Sequence, residues 1–326
     1  MPASPPPVPY HATAVRPRWP DLPADLRSAI EHRLGSPVVS AATAGGGFTR
    51  GFAALVRTAS GDRAFVKAAS LEHQPHLVDW YVREAAVTDA LPAGVPAPRT
   101  RWTLTVAGWF VSCLEAVEGR MPVLPWRPDD LAAALAAYAA TAAALREPPD
   151  ELLALGIPKL SDVARTDLSW WREVAEGREE LPPVPPYVRE RLADLVALEG
   201  WLPHHTAGHG VIHGDLRLDN IIIDLRGSAW ICDWTWPCLG PAWFDLVQLL
   251  ITAYASGLDA DAVLAAHPAA RDAPPDGLDA ALAALSGYWL TGSVAPAGDV
   301  SPHLRQHQRW SGETALGWLA RRRGWI

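Results

Sequence analysis

Cysteine is scarce in this chain, and its three copies, Cys113, Cys232 and Cys238, are odd in number and lack the paired spacing of a metal site. A disulfide framework is therefore not expected, and reduced thiols in a cytoplasmic protein are. Long apolar runs are also missing, since no stretch of about 18 apolar residues occurs. The N-terminus has no basic segment followed by an apolar one. Neither a membrane span nor secretion is expected. Clustered positive charge is equally rare in a chain whose formal net charge is -8. Nucleic acid and anionic membrane both demand clustered Lys and Arg, so neither is expected as a partner. Arg321-Arg322-Arg323 is the local exception and reads as the solvated end of a helix whose dipole it complements.

What is present suits a two-lobed enzyme: 326 residues, 49% of them apolar, can bury a substantial core. The 16 Trp are expected mainly to fill it. Residues 1–20 hold seven Pro and no apolar period, and are expected to form an extended tail. Leu22, Leu26, Ile30 and Leu34, followed by Gly35, predict a short helix. Strands are expected at 38–42, 52–58 and 64–69, a helix at 73–91, and a second hairpin from 101–106 and 109–115. Residues 21–117 thus read as a small antiparallel lobe with one inserted helix. From 118 to 326 the pattern becomes mainly helical, with helices expected at 129–146, 161–176, 187–202, 243–255, 277–290 and 301–320. Short buried strands interrupt it at 211–212, 220–224 and 229–233. The fold class expected is α+β and bilobal.

Phosphoryl transfer needs cations for phosphate oxygens, hard oxygen ligands for Mg²⁺, and a carboxylate beside the attacking hydroxyl. His213-Gly214-Asp215 is followed by Asn220 at the interval of a kinase catalytic loop. Asp233, 18 residues past Asp215, ends an apolar strand and can complete a magnesium site. His213 reads as a support for the loop. Lys67 sits centrally in the apolar run 64–69, where a charge is costly unless an anion meets it. Glu84, on the following helix, or a phosphate can do so. Gly45-Gly46-Gly47-Phe48-Thr49-Arg50-Gly51 lies between two strands and can bring backbone N–H groups to an anion, although a plain flexible hairpin would look the same. His204, His205, His209 and His213 imitate a zinc site, but Gly208 and Gly210 break the helix that would align them. Cys232 reads as a packed thiol, because burial and the neighbouring Asp233 would raise its pKa.

With these motifs in place, the chain resembles the aminoglycoside phosphotransferase family, a small-molecule branch of the protein-kinase-like fold that also includes choline kinases. The resemblance rests on His213 to Asn220, on Asp233-Trp234, and on Gly240-Pro241-Ala242-Trp243-Phe244-Asp245-Leu246, where Pro stands one place early. It implies that Lys67 binds ATP phosphates and Glu84 holds Lys67, with Gly46, Gly47 and Thr49 covering the phosphates. Asn220 and Asp233 would bind Mg²⁺, Asp215 would take the acceptor proton, and Asp245 would support the loop. The segment 114–119 looks like the interlobe hinge, where backbone groups of Glu115 and Val117 would meet adenine. Thr235 stands where many relatives carry an acidic residue, and Arg217 could face substrate or solvent.

The function expected is ATP- and Mg²⁺-dependent transfer to a hydroxyl of a small molecule, an aminoglycoside-type antibiotic or a metabolite. Two alternatives remain at this stage: a peptide Ser/Thr kinase of a natural-product pathway, and a nucleotide-binding pseudokinase scaffold.

Overall fold

Alternating side chains in the first third close into one five-stranded antiparallel sheet. The structure, a computed structural model, describes residues 8–296, 298 and 300–326; residues 1–7 of the expected tail lie outside them. Strands β1 (Val38–Thr43), β2 (Phe52–Thr58), β3 (Arg63–Ser70), β4 (Thr100–Val106) and β5 (Trp109–Glu115) follow the order β1-β2-β3-β5-β4. Helix α1 (Ala24–Leu34) ends at Gly35, whose φ of 76° supplies the left-handed cap. It sets Leu26 and Ile30 on one face of the sheet, against Phe52, Val56, Ala64, Val66 and Ala68. Helix α2 (Pro75–Ala90) covers the other face, where Leu77, Val78 and Tyr81 meet Ala69 and Phe110. Successive residues of a strand point to opposite faces. With Val66 and Ala68 turned toward α1, Lys67 shares the face of Ala69 and is aimed at α2.

Beyond the hinge, β6 (Gly119–Arg120) and α3 (Pro128–Ala144) open the helical lobe. Short helices follow: α4 (Asp150–Leu153), α5 (Leu160–Thr166), α6 (Trp170–Ala175) and α7 (Pro186–Glu190), then α8 (Leu192–His205). The single helix expected over 161–176 is thus two. Ser169 Oγ donates to the Ala164 and Arg165 carbonyls, and Trp170 Nε1 donates to the Asp167 carbonyl at 2.7 Å, closing off α5. The new helix start is capped from far away: Trp171 N and Arg172 N donate to the Glu199 carboxylate of α8 at 3.0 and 2.6 Å. The run expected over 187–202 likewise divides at Arg191 and continues through Pro203.

Strands β7 (Val211–Ile212), β8 (Ile221–Asp224), β9 (Ala229–Ile231) and β10 (Cys238–Leu239) form two small sheets, β6-β8-β9 and β10-β7. Helices α9 (Trp243–Ala255), α10 (Ala260–Ala266), α11 (Gly277–Ser293) and α12 (Leu304–Arg322) complete the lobe. Trp171, Trp234, Trp243 and Trp318 are among its largest fully buried side chains, while Trp201 and Trp236 are exposed. Residues 8–20 are not free of the body: Val8 and Tyr10 are buried in the core of the helical lobe. Among the described residues, no helix is long and apolar enough to cross a membrane.

Candidate active site

The face assignment of Lys67 brings its ammonium to Glu84 of α2, donating at 2.7 and 2.6 Å to the two carboxylate oxygens. Glu84 is buried, and Tyr81, one turn earlier, lies under the Lys67 cation with its ring centroid at 5.3 Å. The Asp233 carboxylate stands 4.0 Å from the same ammonium. Burial works against the Lys67 charge, but Glu84 and Asp233 outweigh it and raise its pKa. The strand lysine is therefore a permanent cation at the junction of the two lobes.

The loop of residues 213–220 hangs from Asp245 on α9. His213 N and Gly214 N donate to its carboxylate at 2.6 and 2.9 Å, and burial pushes the Asp245 carboxyl up to about 6. His213 is wholly buried. Its Nδ1 accepts from Asp215 N at 3.2 Å, so the proton sits on Nε2, which donates to the Cys232 carbonyl at 2.9 Å. Gly214 has φ of 80°, and a Cβ there would lie 2.0 Å from the Trp236 carbonyl oxygen, so the turn requires glycine.

Asp215 keeps 23% of its side-chain surface exposed. Burial nevertheless raises its carboxyl to about 6, against the opposing Arg217 cation. Asn220 Nδ2 donates to the Asp215 carbonyl at 2.8 Å, which turns the amide oxygen of Asn220 the other way. Asp233 adopts φ of 63°, a strained geometry for a residue other than glycine, and Thr235 Oγ1 donates to its Oδ1 at 2.7 Å. Burial pushes the Asp233 carboxyl up, but Lys67, Thr235 and Arg217 together bring it below the ordinary range. Cys232 is a packed thiol pushed up to about 12 by burial.

Sequence reasoning left Arg217 open between substrate and solvent; it faces neither alone. Its guanidinium bridges Asp215 and Asp219, with Asp219 held through two parallel bonds of 3.0 and 3.1 Å. Charges of opposite sign two residues apart were the available signal.

In the glycine-rich segment Phe48 is buried, whereas Thr49 is half-buried and has no side-chain hydrogen bond among the described residues. Gly46 and Gly47 pack against the N-terminal segment, with Arg16 donating to the Gly46 carbonyl at 3.2 Å. That contact had no signal in the sequence. At the hinge, Glu115 N donates to the Arg99 carbonyl at 2.8 Å and is therefore committed, while Val117 N has no partner among the described residues. A cavity of about 840 Å³ is lined by Glu115, Ala116, Val117 and Glu118 of the hinge together with Arg63 and Trp230, and neither Asp215 nor Asp219 lines it.

Residues 47–285 match the phosphotransferase enzyme family. Among curated proteins, none matches the chain in sequence. Solved structures do match in fold. A thermostable mutant of aminoglycoside phosphotransferase APH(4)-Ia, in apo form, has a TM-score of 0.61 and 15% identity, covering 91% of this chain and 99% of that one. A ternary complex of a mutant of the same enzyme with AMP-PNP and hygromycin B has a TM-score of 0.60 and 13% identity, covering 91% and 98%. The macrolide 2'-phosphotransferase MphH from Brachybacterium faecium, as apoenzyme, has a TM-score of 0.53 and 17% identity, covering 87% and 96%. The bilobal kinase-like α+β fold expected from the sequence is the one observed.

Proposed function

The chain belongs to the phosphotransferase enzyme family, and on that premise we propose that it transfers the γ-phosphate of ATP, with Mg²⁺, to a hydroxyl of a small molecule. One observation carries this reading. Lys67 on β3, Asp215 and Asn220 in one loop, and Asp233 after β9 come from three separate segments, yet Lys67 stands 4.0 Å from Asp233, and within the loop Asn220 donates to the Asp215 carbonyl at 2.8 Å.

In this reading Lys67, held by Glu84, grips the α- and β-phosphates, and the N–H groups of Gly46, Gly47 and Thr49 cover them. Glu115 and Val117 lie where the hinge would receive adenine, with Val117 N as the free donor. The Asn220 amide oxygen and the Asp233 carboxylate are hard oxygen donors suited to Mg²⁺, which prefers a few protein ligands beside phosphates and water. Bound there, the ion would neutralise phosphate oxygens during transfer. Asp215 is ionised at neutral pH and can accept the hydroxyl proton as the oxygen attacks. His213 and Asp245 hold that carboxylate in place.

The segment after Asp233 favours a small acceptor, because only residues 234–242 separate it from α9, leaving no long platform on which a peptide could dock. Relatives in fold named for aminoglycoside and macrolide phosphotransfer, one with hygromycin B bound, support an antibiotic or a metabolite as the acceptor class. The test is phosphate transfer from ATP across a panel of aminoglycosides, macrolides, amino alcohols and sugars, with Asp215→Asn as control. Mg-ATP binding without transfer to any hydroxyl, peptides included, would instead favour a nucleotide-binding scaffold.

A further inference from the structure

Residues 10–16 lie directly on the glycine-rich segment. Ala14 N donates to the Gly45 carbonyl at 2.8 Å, and Thr13 Oγ1 to the Gly47 carbonyl at 3.1 Å. Arg16 forks across the base of the loop: Nη2 donates to the Gly46 carbonyl at 3.2 Å and Nη1 to the Gly51 carbonyl at 3.1 Å. This contact leaves no room for a side chain at Gly45 and little at Gly46, while Gly47 stands at φ of 95°. A Cβ would come 2.1 Å from the His11 carbonyl oxygen at Gly45, 3.2 Å from the Tyr10 carbonyl oxygen at Gly46, and 2.7 Å from Arg16 Nη2 at Gly47.

The same segment is anchored in the helical lobe. Tyr10 Oη bonds His307 Nδ1 at 2.8 Å, and Ser301 Oγ donates to the Thr13 carbonyl while Ser301 N donates to the Phe48 carbonyl. Phe48 at the loop tip rests against His307, with ring centroids 4.9 Å apart, and beneath it the Arg217 guanidinium lies 5.5 Å from its ring.

The polarity of these bonds is one-sided. The carbonyls of Gly45, Gly46, Gly47, Phe48 and Gly51 all accept from outside the loop. Among the described residues, the N–H groups of Gly46, Gly47, Phe48 and Thr49 donate to nothing. Arg16 Nε is likewise buried without a partner. Holding a loop by its carbonyls leaves its N–H groups for an anion.

We infer that residues 10–16 are a built-in part of the nucleotide site and that Arg16 is a positioning residue for the loop that receives the triphosphate. The inference rests on the ATP reading above. Its test compares full-length Arg16→Ala and Arg16→Lys with the unaltered chain in binding Mg-ATP and adenosine, which carries no phosphate. Trypsin cleavage after Arg50, followed without nucleotide, reports on the loop itself; Arg16 precedes Pro17 and is not a trypsin site.

In Arg16→Ala, Mg-ATP affinity falls roughly tenfold, adenosine affinity is unchanged, and cleavage after Arg50 is faster. Lys keeps the charge but cannot span two carbonyls, so it restores only part of the ATP affinity. Unchanged ATP affinity with unchanged cleavage overturns the inference. So does tighter ATP binding in Arg16→Ala, which makes the segment an obstruction, or full recovery in Arg16→Lys. The cleavage arm needs no ligand, so a chain that binds no ATP defeats the functional reading separately from this one. Melting temperatures of both variants separate a loosened loop from an unfolded protein.

Discussion

Arg217 ties Asp215 to Asp219, donating to Asp215 Oδ1 at 2.9 Å and to Asp219 through both Nε and Nη2. The proposed base therefore carries a cation on one side and, through that cation, a second carboxylate. Burial raises Asp215 to about 6, and Arg217, with a smaller part from the Asn220 hydrogen bond, opposes a further rise; Asp219 and Asp233 both push the same way as burial. In Arg217→Gln the opposing charge is gone, so Asp215 stays protonated to higher pH. The acid limb of the pH profile of kcat/KM then moves above 6. An unmoved limb would show that Asp215 is not the group whose ionisation controls the rate.

Asp215→Asn keeps the shape of the side chain and removes its capacity to take a proton. Loss of a general base costs roughly 10²–10⁴ in rate. The expected outcome is a fall of that order in kcat with Mg-ATP affinity retained, read by steady-state kinetics and calorimetric titration. A variant as active as the unaltered chain sinks the base assignment.

Much of this site was legible in the sequence because its residues obey local rules. A lysine inside the apolar run of β3 calls for an anion, and the period of the strand aims it at α2, where Glu84 waits. The spacing of Asp215, Asn220 and Asp233 reflects one loop and one hairpin, so it survives in the linear chain. The parts that were not legible join residues far apart. Glu199 caps α6 across 27 and 28 residues, and Tyr10 reaches His307 across 297. No local pattern encodes either partner. The proline-rich start read as an extended tail because Pro removes helix and strand signals, yet two of its apolar residues, Val8 and Tyr10, are buried. The break between α5 and α6 was missed for a similar reason: Asp167-Leu168-Ser169 is compatible with helix until Ser169 turns back onto the carbonyls of α5.

Gly214→Ala tests whether the loop tolerates any side chain at its turn. The residue stands at φ of 80°, and the new Cβ would lie 2.0 Å from the Trp236 carbonyl oxygen, which is backbone and cannot swing aside. Left-handed strain and the forced shift together cost about 2–4 kcal/mol. Chemical denaturation shows the loss directly. A variant that is equally stable would mean that the stretch from Trp234 to Cys238 moves freely.

Glu199 offers a test of stability that is independent of nucleotide. Its carboxyl is fully buried, and burial raises it from 4.5 to about 7, although the N–H groups of Trp171 and Arg172 pull the other way. Between pH 4.5 and 7 the folded protein then holds a proton on Glu199 that the unfolded chain has released. Stability therefore falls as pH rises through that window, by up to about 3 kcal/mol from this group alone. Asp245, raised to about 6 by burial, contributes in the same sense. Glu199→Gln cannot titrate, so its unfolding free energy falls less steeply from pH 5 to pH 7.5, whatever its absolute stability. Urea denaturation at several pH values gives both slopes. Equal slopes would mean that Glu199 is ionised in the folded protein throughout, with the two backbone donors at the start of α6 sufficient to hold its charge.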